Sequence, residues 1–179
     1  MTLFLYEKDD VGIKRLTEEE LAGDYPYWFE DEEVHKYNSH WSNPKTLKSV
    51  SKFIDDLEFD STQLVFSIYS VKNNKHIGNI SLQNIDSFNQ SAEMAFLFGD
   101  RDYWGKGYAF LASKIIINHG FNHLNLKRLY LGCLEKNTAM CKLSIKLGFL
   151  KEGLRRRAIF SGGDFNDVVE YGLLKDEYI

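Results

Sequence analysis

The sequence of 179 residues has little cysteine, little proline and no surplus of positive charge. Its two cysteines, Cys133 and Cys141, form no C-x-x-C pair, so the sequence suggests neither a disulfide framework nor a zinc site. The formal net charge of -4 disfavours nucleic-acid binding, because neutralising phosphates usually requires a basic surface. No apolar run approaches the roughly 20 residues of a membrane helix, and the N-terminus lacks a basic and apolar leader. We therefore expect a soluble, cytoplasmic protein without a metal and without nucleic acid or membrane as a partner.

The apolar content is that of a globular protein. Hydrophobic residues make up 44% of the chain and aromatic residues 15%, and the length suits one buried core better than two. We expect residues 1–179 to form a single domain.

The hydrophobic pattern changes from helical to strand-like near Asp60. Thr17 and Glu20 have the spacing of a capping box at the start of a helix. A second short helix is predicted at residues 31–37, and longer helices at residues 44–57, 107–122 and 137–147. Strands are predicted at residues 11–16, 64–70, 76–85, 92–98, 128–133, 149–160 and 168–174. The order predicts a mixed, mostly antiparallel sheet of about seven strands with helices on both faces.

The segment from Asp100 to Phe121, DRDYWGKGYAFLASKIIINHGF, carries the strongest chemical signal. Gly105 and Gly107 follow an apolar strand and directly precede an apolar helix. The first turn of a helix has backbone N–H groups without intrahelical partners, and the macrodipole adds positive charge there. Glycine lets an anion approach these groups, so the pattern predicts a phosphate site. A glycine-containing turn without a ligand is the alternative for this segment alone.

Three segments taken together resemble the GCN5-related N-acetyltransferases (GNAT), and within them the RimJ/RimL-like group. They are IGNISL with AEMAFLFGDRDYWGKGYA, then NTAMCKLSIKLGF, then EGLRRRAIFSGGDFNDVVEYGLL. The resemblance implies a single-domain α/β acetyltransferase fold in which acetyl-CoA lies where two central strands part.

The resemblance also implies the residues that bind acetyl-CoA. The family's pyrophosphate loop, Gln/Arg-x-x-Gly-x-Gly/Ala, falls on Trp104, Gly105, Lys106, Gly107, Tyr108 and Ala109. Trp104 departs from Gln/Arg, which removes one side-chain donor but leaves the backbone cradle. Main-chain groups of Leu97 and Phe98 are expected to meet the pantetheine amides.

The helix that begins near Asn137 places Asn137, Cys141 and Ser144 on one stripe. In the resembling family the Asn binds the pantetheine arm, although a helix N-cap alone would also explain Asn137. Many family members carry a Tyr at the position of Ser144, where it protonates the departing thiolate. We expect Ser144 at most to donate a hydrogen bond there, and a tolerated small residue is the alternative.

Glu93 is a carboxylate on a strand that is otherwise apolar on both faces. Such a group is costly unless it reaches water or a partner. The resemblance implies that Glu93 accepts the proton of the amine, since only a free amine attacks a thioester. A structural hydrogen-bond acceptor is the other interpretation.

The sequence specifies the residues that contact the acceptor amine less clearly than those that bind the cofactor. The resemblance points to residues 25–41 and 161–167, with Trp28, Glu33 and Tyr37 as candidate substrate contacts. The acidic run from Glu30 to Glu33 suits either a cationic acceptor or a solvated helix start. Arg155 to Arg157 suit ion pairing, an anionic substrate or the 3′-phosphate of the cofactor.

The expected function is acetyl transfer from acetyl-CoA directly to a primary amine of a small molecule, such as an amino sugar or a polyamine. The alternatives are a protein N-terminal acetyltransferase of the ribosomal-protein type and a non-catalytic acyl-CoA sensor. A homodimer is compatible with the sequence, which does not specify an oligomeric state.

Overall fold

The computed structural model describes residues 3–37 and 45–178, which form one sheet with helices on both faces. The strands are β1 (Tyr6–Lys8), β2 (Val11–Arg15), β3 (Leu64–Ser70), β4 (Lys75–Asp86), β5 (Ser91–Leu97), β6 (Arg128–Leu134), β7 (Leu150–Ser161) and β8 (Asp164–Leu174). Their order across the sheet is β1-β2-β3-β4-β5-β6-β8-β7. The β5–β6 pair is parallel, and the other described pairs are antiparallel.

The α-helices are α1 (Glu32–His35), α2 (Leu47–Asp56), α3 (Tyr108–Asn118) and α4 (Thr138–Lys146). The capping box predicted at Thr17 and Glu20 is present, but it opens a short 3-10 helix at Glu18–Ala22. Helix α2 begins at Leu47, with Thr46 as its N-cap, and the predicted start at Pro44 lies outside the described residues. Helix α3 ends at Asn118, and a π-helical turn at His119–His123 completes the predicted helix.

The sheet separates two apolar clusters. Ala92 and Met94 of β5 belong to the larger cluster, which α3 closes with Ala112 and Ile116. Leu97 packs instead against the smaller cluster, which Val50 and Ile54 of α2 help to form. Because successive side chains of a strand point to opposite faces, Glu93 shares the face of Leu97. The carboxylate thus lies on the face away from α3.

The sheet has eight strands, whereas about seven were predicted, and the strand that was not predicted is β1. Strand β1 has only three residues, Tyr6–Lys8, which are too few to show an alternating pattern. In the described parts of the chain, no helix is long and apolar enough to span a membrane.

Candidate active site

The two central parallel strands part beside Glu93. The ladder between β5 and β6 has three pairs, Ser91↔Arg128, Ala92↔Leu129 and Glu93↔Tyr130, while both strands continue beyond it. From Met94 to Leu97, the β5 backbone groups that face β6 therefore have no ladder partner in the described structure. Unpaired backbone N–H and C=O groups are strong hydrogen-bonding groups, so this gap can bind an extended chain with amide groups.

The glycine loop lies between the end of β5 and the start of α3. Gly105 has φ +71° and Gly107 has φ +92°, both in the left-handed region that favours glycine. A Cβ built on either residue would meet no atom within 4 Å, so both glycines border open space. Gly107 is the N-cap of α3 and has no side chain to satisfy the first N–H groups of the helix. The residues present fit a phosphate group at this helix start.

Trp104, at the first position of the loop, is hydrogen-bonded to the residue that follows β5. Its indole Nε1–H donates to the carbonyl oxygen of Phe98 at 3.1 Å. This bond occupies the Phe98 carbonyl, one of the main-chain groups that the sequence predicts to meet the cofactor arm. Trp104 is 40% exposed, so the ring lies at the protein surface beside the loop.

Tyr108, the first residue of α3, is held from outside the loop by Asp10. The Asp10 carboxylate accepts hydrogen bonds from the Tyr108 hydroxyl, from the Ser70 hydroxyl and from the Lys72 N–H. The Tyr108 bond is the main cause that keeps the pKa of Asp10 below its usual value. Asp10 thus fixes the start of α3 against the ends of β2 and β3. The role of Asp10 could not be predicted from the sequence, because Asp10 is nearly 100 residues away from the loop and has no motif around it.

Asn137 is the N-cap of α4, and its Oδ1 accepts the N–H of Met140 at 3.1 Å. This bond occupies the oxygen of the amide and leaves its NH₂ as the group with which it would bind a cofactor arm. Asn137 is the third residue after β6 and therefore lies near the end of the strand that borders the gap.

Ser144 is fully buried, and its hydroxyl donates to the carbonyl oxygen of Met140 at 2.9 Å. This bond to the preceding turn is a common one for Ser in a helix. Cys141 lies on the same stripe, and its Sγ atom is 3.5 Å from that of Cys133 in β6. Burial raises the pKa of the Cys133 thiol. Ser144 would reach a leaving sulfur only by giving up its bond to Met140.

Glu93 is partly buried at the last pair before the strands part. The amide of Asn84 donates to Glu93 Oε2 at 2.9 Å. Asn84 has φ +49° and lies where the β4–β5 register shifts, so an irregularity in β4 directs this amide at the carboxylate. Burial, together with the nearby Glu93 charge, raises the pKa of Tyr130. Asn84 and Tyr130 were not foreseen from the sequence, because only the pairing register brings them to Glu93.

The surface beside Glu93 continues over β6 and β8 on the same face. Gly132 is exposed, and a Cβ there would lie 3.4 Å from an oxygen of Glu170 and 3.6 Å from a nitrogen of Arg155. Arg155 and Glu170 form an ion pair over this glycine. The result is an open, polar floor next to the carboxylate.

The three candidate substrate contacts lie in different surroundings. Trp28 is 5% exposed and packs so closely on Gly99 that a Cβ there would overlap the indole. It therefore supports the turn after β5 as part of the core. Glu33, in α1, and Tyr37, just after α1, are exposed. Trp41 lies outside the described residues.

Comparison with known proteins identifies the family. Residues 10–150 match the model of the acetyltransferase (GNAT) domain. The chain belongs to this family. It is 35% identical over 154 residues to p20, an uncharacterized N-acetyltransferase of Bacillus licheniformis, and the match covers 85% of each chain. This GNAT protein is an acyltransferase with the parted strands and the glycine loop described above.

Two further matches carry names that refer to different acceptors. YdaF of Bacillus subtilis, provisionally named a ribosomal N-acetyltransferase, is 33% identical over 101 residues, which is 56% of this chain and 55% of YdaF. The crystal structure of spermidine N-acetyltransferase from Vibrio cholerae in complex with CoA and spermine superposes with a TM-score of 0.86. That match has 20% identity and covers 94% of this GNAT chain and 98% of the other, so it shows the fold alone.

Among the described residues, no group of three or more His, Cys, Asp or Glu side chains is placed to hold a metal ion. His119 and His123 stack at 5.4 Å between ring centroids, and Nδ1 of His119 is hydrogen-bonded to the Tyr6 hydroxyl at 2.7 Å. The pair thus packs at the end of α3.

Proposed function

We propose that this protein transfers the acetyl group of acetyl-CoA directly to a primary amine of a small molecule, in the cytoplasm and without a covalent enzyme intermediate. The observation that carries the proposal is the gap between β5 and β6, with the glycine loop after β5 and a carboxylate at the last strand pair. Acetyl-CoA would supply the activated acyl group.

The chain's own residues divide the binding task. The backbone of Gly105, Gly107 and Ala109, with their loop neighbours Trp104, Lys106 and Tyr108, would hold the pyrophosphate. The unpaired edge of β5 near Leu97, together with the NH₂ of Asn137, would hold the amide groups of the arm. A β5 backbone N–H in the gap would also stabilise the negative oxygen that forms during transfer.

Glu93 would accept the proton of the acceptor amine, directly or through water. Alkyl ammonium groups are mostly charged at neutral pH, and only the neutral amine attacks a thioester. The hydrogen bond from Asn84 at 2.9 Å orients the carboxylate without neutralising it. Ser144 has a secondary role in this proposal, a hydrogen bond to the leaving sulfur.

A panel assay tests the proposal. Purified protein is mixed with acetyl-CoA and one amine at a time, and thiol release is measured. We expect release with at least one small amine, and a fall in kcat of about 100-fold for Glu93→Gln. Glu7→Gln, an exposed carboxylate in β1, is the control and should leave kcat unchanged. Acetyl-CoA binding without release for any amine would contradict the proposal.

A protein N-terminal acetyltransferase is the second candidate, which the similarity to YdaF favours. Gly132, on the open floor beside Glu93, is exposed, which favours room for a polypeptide end. Intact-mass comparison of ribosomal proteins from deletion and parent strains would detect this activity as losses of about 42 Da. We further propose that the protein assembles into a homodimer, which light scattering would test.

A further inference from the structure

Tyr130 and Glu93 form the last cross-strand pair before β5 and β6 part. Directly paired residues of two parallel strands point to the same face of the sheet, so Tyr130 shares the face of Glu93. The preceding pair, Ala92↔Leu129, belongs to the larger apolar cluster on the other face, which agrees with this assignment. Because Tyr130 is only half-buried, it borders the closed end of the gap on the side where the acceptor would lie.

A bulge in β4 turns the side chain of Asn84 toward this pair. The register of β4 and β5 shifts at Asn84 and Ile85, which lie opposite Ala92 alone. Ile85 packs against the larger apolar cluster, whereas Asn84, with φ +49°, donates to Glu93 Oε2 at 2.9 Å on the opposite face. Bulges that redirect a side chain, and non-glycine residues in the left-handed region, are both enriched at functional sites.

The hydroxyl of Tyr130 is neutral and its ring is held in place. The Arg128 guanidinium lies 5.9 Å from the centroid of the ring and forms an ion pair with Glu152. Burial and the charge of Glu93 raise the pKa of Tyr130, although a hydrogen bond with Asn84 opposes this rise. A neutral hydroxyl keeps an oxygen that accepts hydrogen bonds.

The floor next to this pair leaves room for the nitrogen of an acceptor. Gly132, two residues after Tyr130 in β6 and on the same face, is exposed and has no side chain. Among the residues that the structure describes, only Asn84 is hydrogen-bonded to the Glu93 carboxylate, through Oε2. A nitrogen over this floor therefore meets a free carboxylate oxygen and a hydroxyl oxygen.

We propose that the Tyr130 hydroxyl accepts a hydrogen bond from the acceptor nitrogen and makes the enzyme selective for primary over secondary amines. This inference rests on the proposed function and deepens it. In direct transfer the nitrogen lone pair forms the N–C bond, the C–S bond breaks with its electron pair on sulfur, and a proton of the nitrogen passes to Glu93.

The number of N–H groups on the attacking nitrogen decides the selectivity. A neutral primary amine has two N–H groups, one for Glu93 and one for Tyr130. A secondary amine has a single N–H, which Glu93 requires, so the Tyr130 hydroxyl loses its partner. A site built to hydrogen-bond a substrate N–H rejects an analogue that lacks it.

Matched amines test the proposal. Putrescine and N,N′-dimethylputrescine form one pair, and D-glucosamine and its N-methyl derivative form the other. We expect kcat/KM for the primary amine to fall about tenfold in Tyr130→Phe, and the value for its N-methyl partner to change less than about twofold. Both enzymes meet the same added methyl group, so a change in the ratio of the two values reports the hydroxyl. If the wild type does not turn over the N-methyl partner, its inhibition constant against the primary amine replaces kcat/KM and should also change less than about twofold.

Tyr178→Phe is the control, because it removes a hydroxyl that donates to the Lys114 carbonyl on α3. It should leave the ratio of the two kcat/KM values unchanged. KM for acetyl-CoA should be the same in Tyr130→Phe and in the wild type, since the hydroxyl is assigned to the acceptor.

Two results would overturn the proposal. The first is an equal fall of kcat/KM for both members of each pair, which would mean that Tyr130 acts only through the position of Glu93. The second is an unchanged kcat/KM for the primary amine in Tyr130→Phe.

If the wild type turns over no amine, the proposed function fails separately, and thermal shift with CoA and each amine decides this inference. Stronger stabilisation of the wild type by the primary amine than by its N-methyl partner, with the difference lost in Tyr130→Phe, supports it. Equal stabilisation by the two members of both pairs, or none, rejects it.

Discussion

Gly107 combines a backbone requirement with a binding requirement. Its φ of +92° favours glycine, and the space in front of its missing Cβ is open. The sequence predicts both the position and the helix that follows, because a glycine between an apolar strand and an apolar helix is a local signal. Two bonds that fix the loop were not predicted. The bond from Trp104 to Phe98 depends on how the turn after β5 folds, and the bond from Tyr108 to Asp10 joins residues that are 98 positions apart.

Gly107→Ala should weaken CoA binding by about tenfold or more, because the added methyl group lies where the phosphate would approach the backbone. It should also destabilise the fold by about 1 kcal/mol, since alanine is strained in the left-handed region. Gly163→Ala is the matched control, with φ +82° and open space at a hairpin turn. Calorimetric titration with CoA should show a loss of affinity for Gly107→Ala only. Equal affinities of the two variants and the wild type would reject the binding of the pyrophosphate by the backbone at Gly107.

Tyr108→Phe should raise KM for acetyl-CoA about threefold to tenfold and change kcat little, because it removes the bond that anchors the loop to Asp10. Tyr178→Phe removes a hydroxyl that donates to the Lys114 carbonyl of the same helix at 3.4 Å, away from the loop. Steady-state kinetics should show unchanged KM for acetyl-CoA and unchanged kcat in this control variant. An effect of the same size in both variants would mean that the hydroxyl groups stabilise α3 in general.

At the scale of elements, the sequence predicts most strands and helices to within a few residues, because their apolar periods are regular. Strand β3 has the predicted bounds, residues 64–70, and α4 begins next to its predicted cap, Asn137. The parting of β5 and β6 could be expected only through the family resemblance, because both strands have apolar residues beyond Glu93. Where a ladder ends is set by tertiary packing and has no local pattern.

Variants of Asn137 test whether this residue only caps α4 or also binds the cofactor. Asn137→Asp keeps an oxygen for the Met140 N–H, so stability should change by less than about 0.5 kcal/mol, whereas Asn137→Ala should cost about 1 kcal/mol. Both variants lose the NH₂ and should raise KM for acetyl-CoA by about fivefold or more. Urea unfolding and kinetics separate the two effects. An unchanged KM in Asn137→Asp would reduce the residue to a cap.

At the scale of the whole molecule, a buried polar network joins the N-terminal segment to the sheet. Glu20, 2% exposed, accepts from Lys14 Nζ at 2.8 Å, the Thr17 N–H at 2.8 Å and the Tyr69 hydroxyl at 2.8 Å. Burial alone would raise the pKa of Glu20, but these hydrogen bonds outweigh it and place the pKa below its usual 4.5. The network attaches the 3-10 helix at Glu18–Ala22 to β2 through Lys14 and to β3 through Tyr69.

Glu20→Gln should lower the free energy of unfolding at pH 7 by about 3 kcal/mol, because Lys14 loses a buried partner. A lowered folded pKa stabilises the protein above the unfolded value of about 4.5, and this contribution is lost as pH falls through the folded pKa. The difference between wild type and variant should therefore shrink below pH 4.5. Glu19→Gln, whose side chain also contacts Lys14 but is 78% exposed, should change stability by less than about 1 kcal/mol. Urea titrations at several pH values measure both, and a pH-independent difference would contradict the account.

A crystal structure of the protein with CoA tests the central claim most directly. The account predicts the pyrophosphate on the backbone N–H groups of residues 107–109. It also places the arm along Met94 to Leu97 in the gap between β5 and β6, with the sulfur directed toward Glu93. A pyrophosphate bound away from this loop, or a gap closed by continued pairing of the two strands, would contradict it.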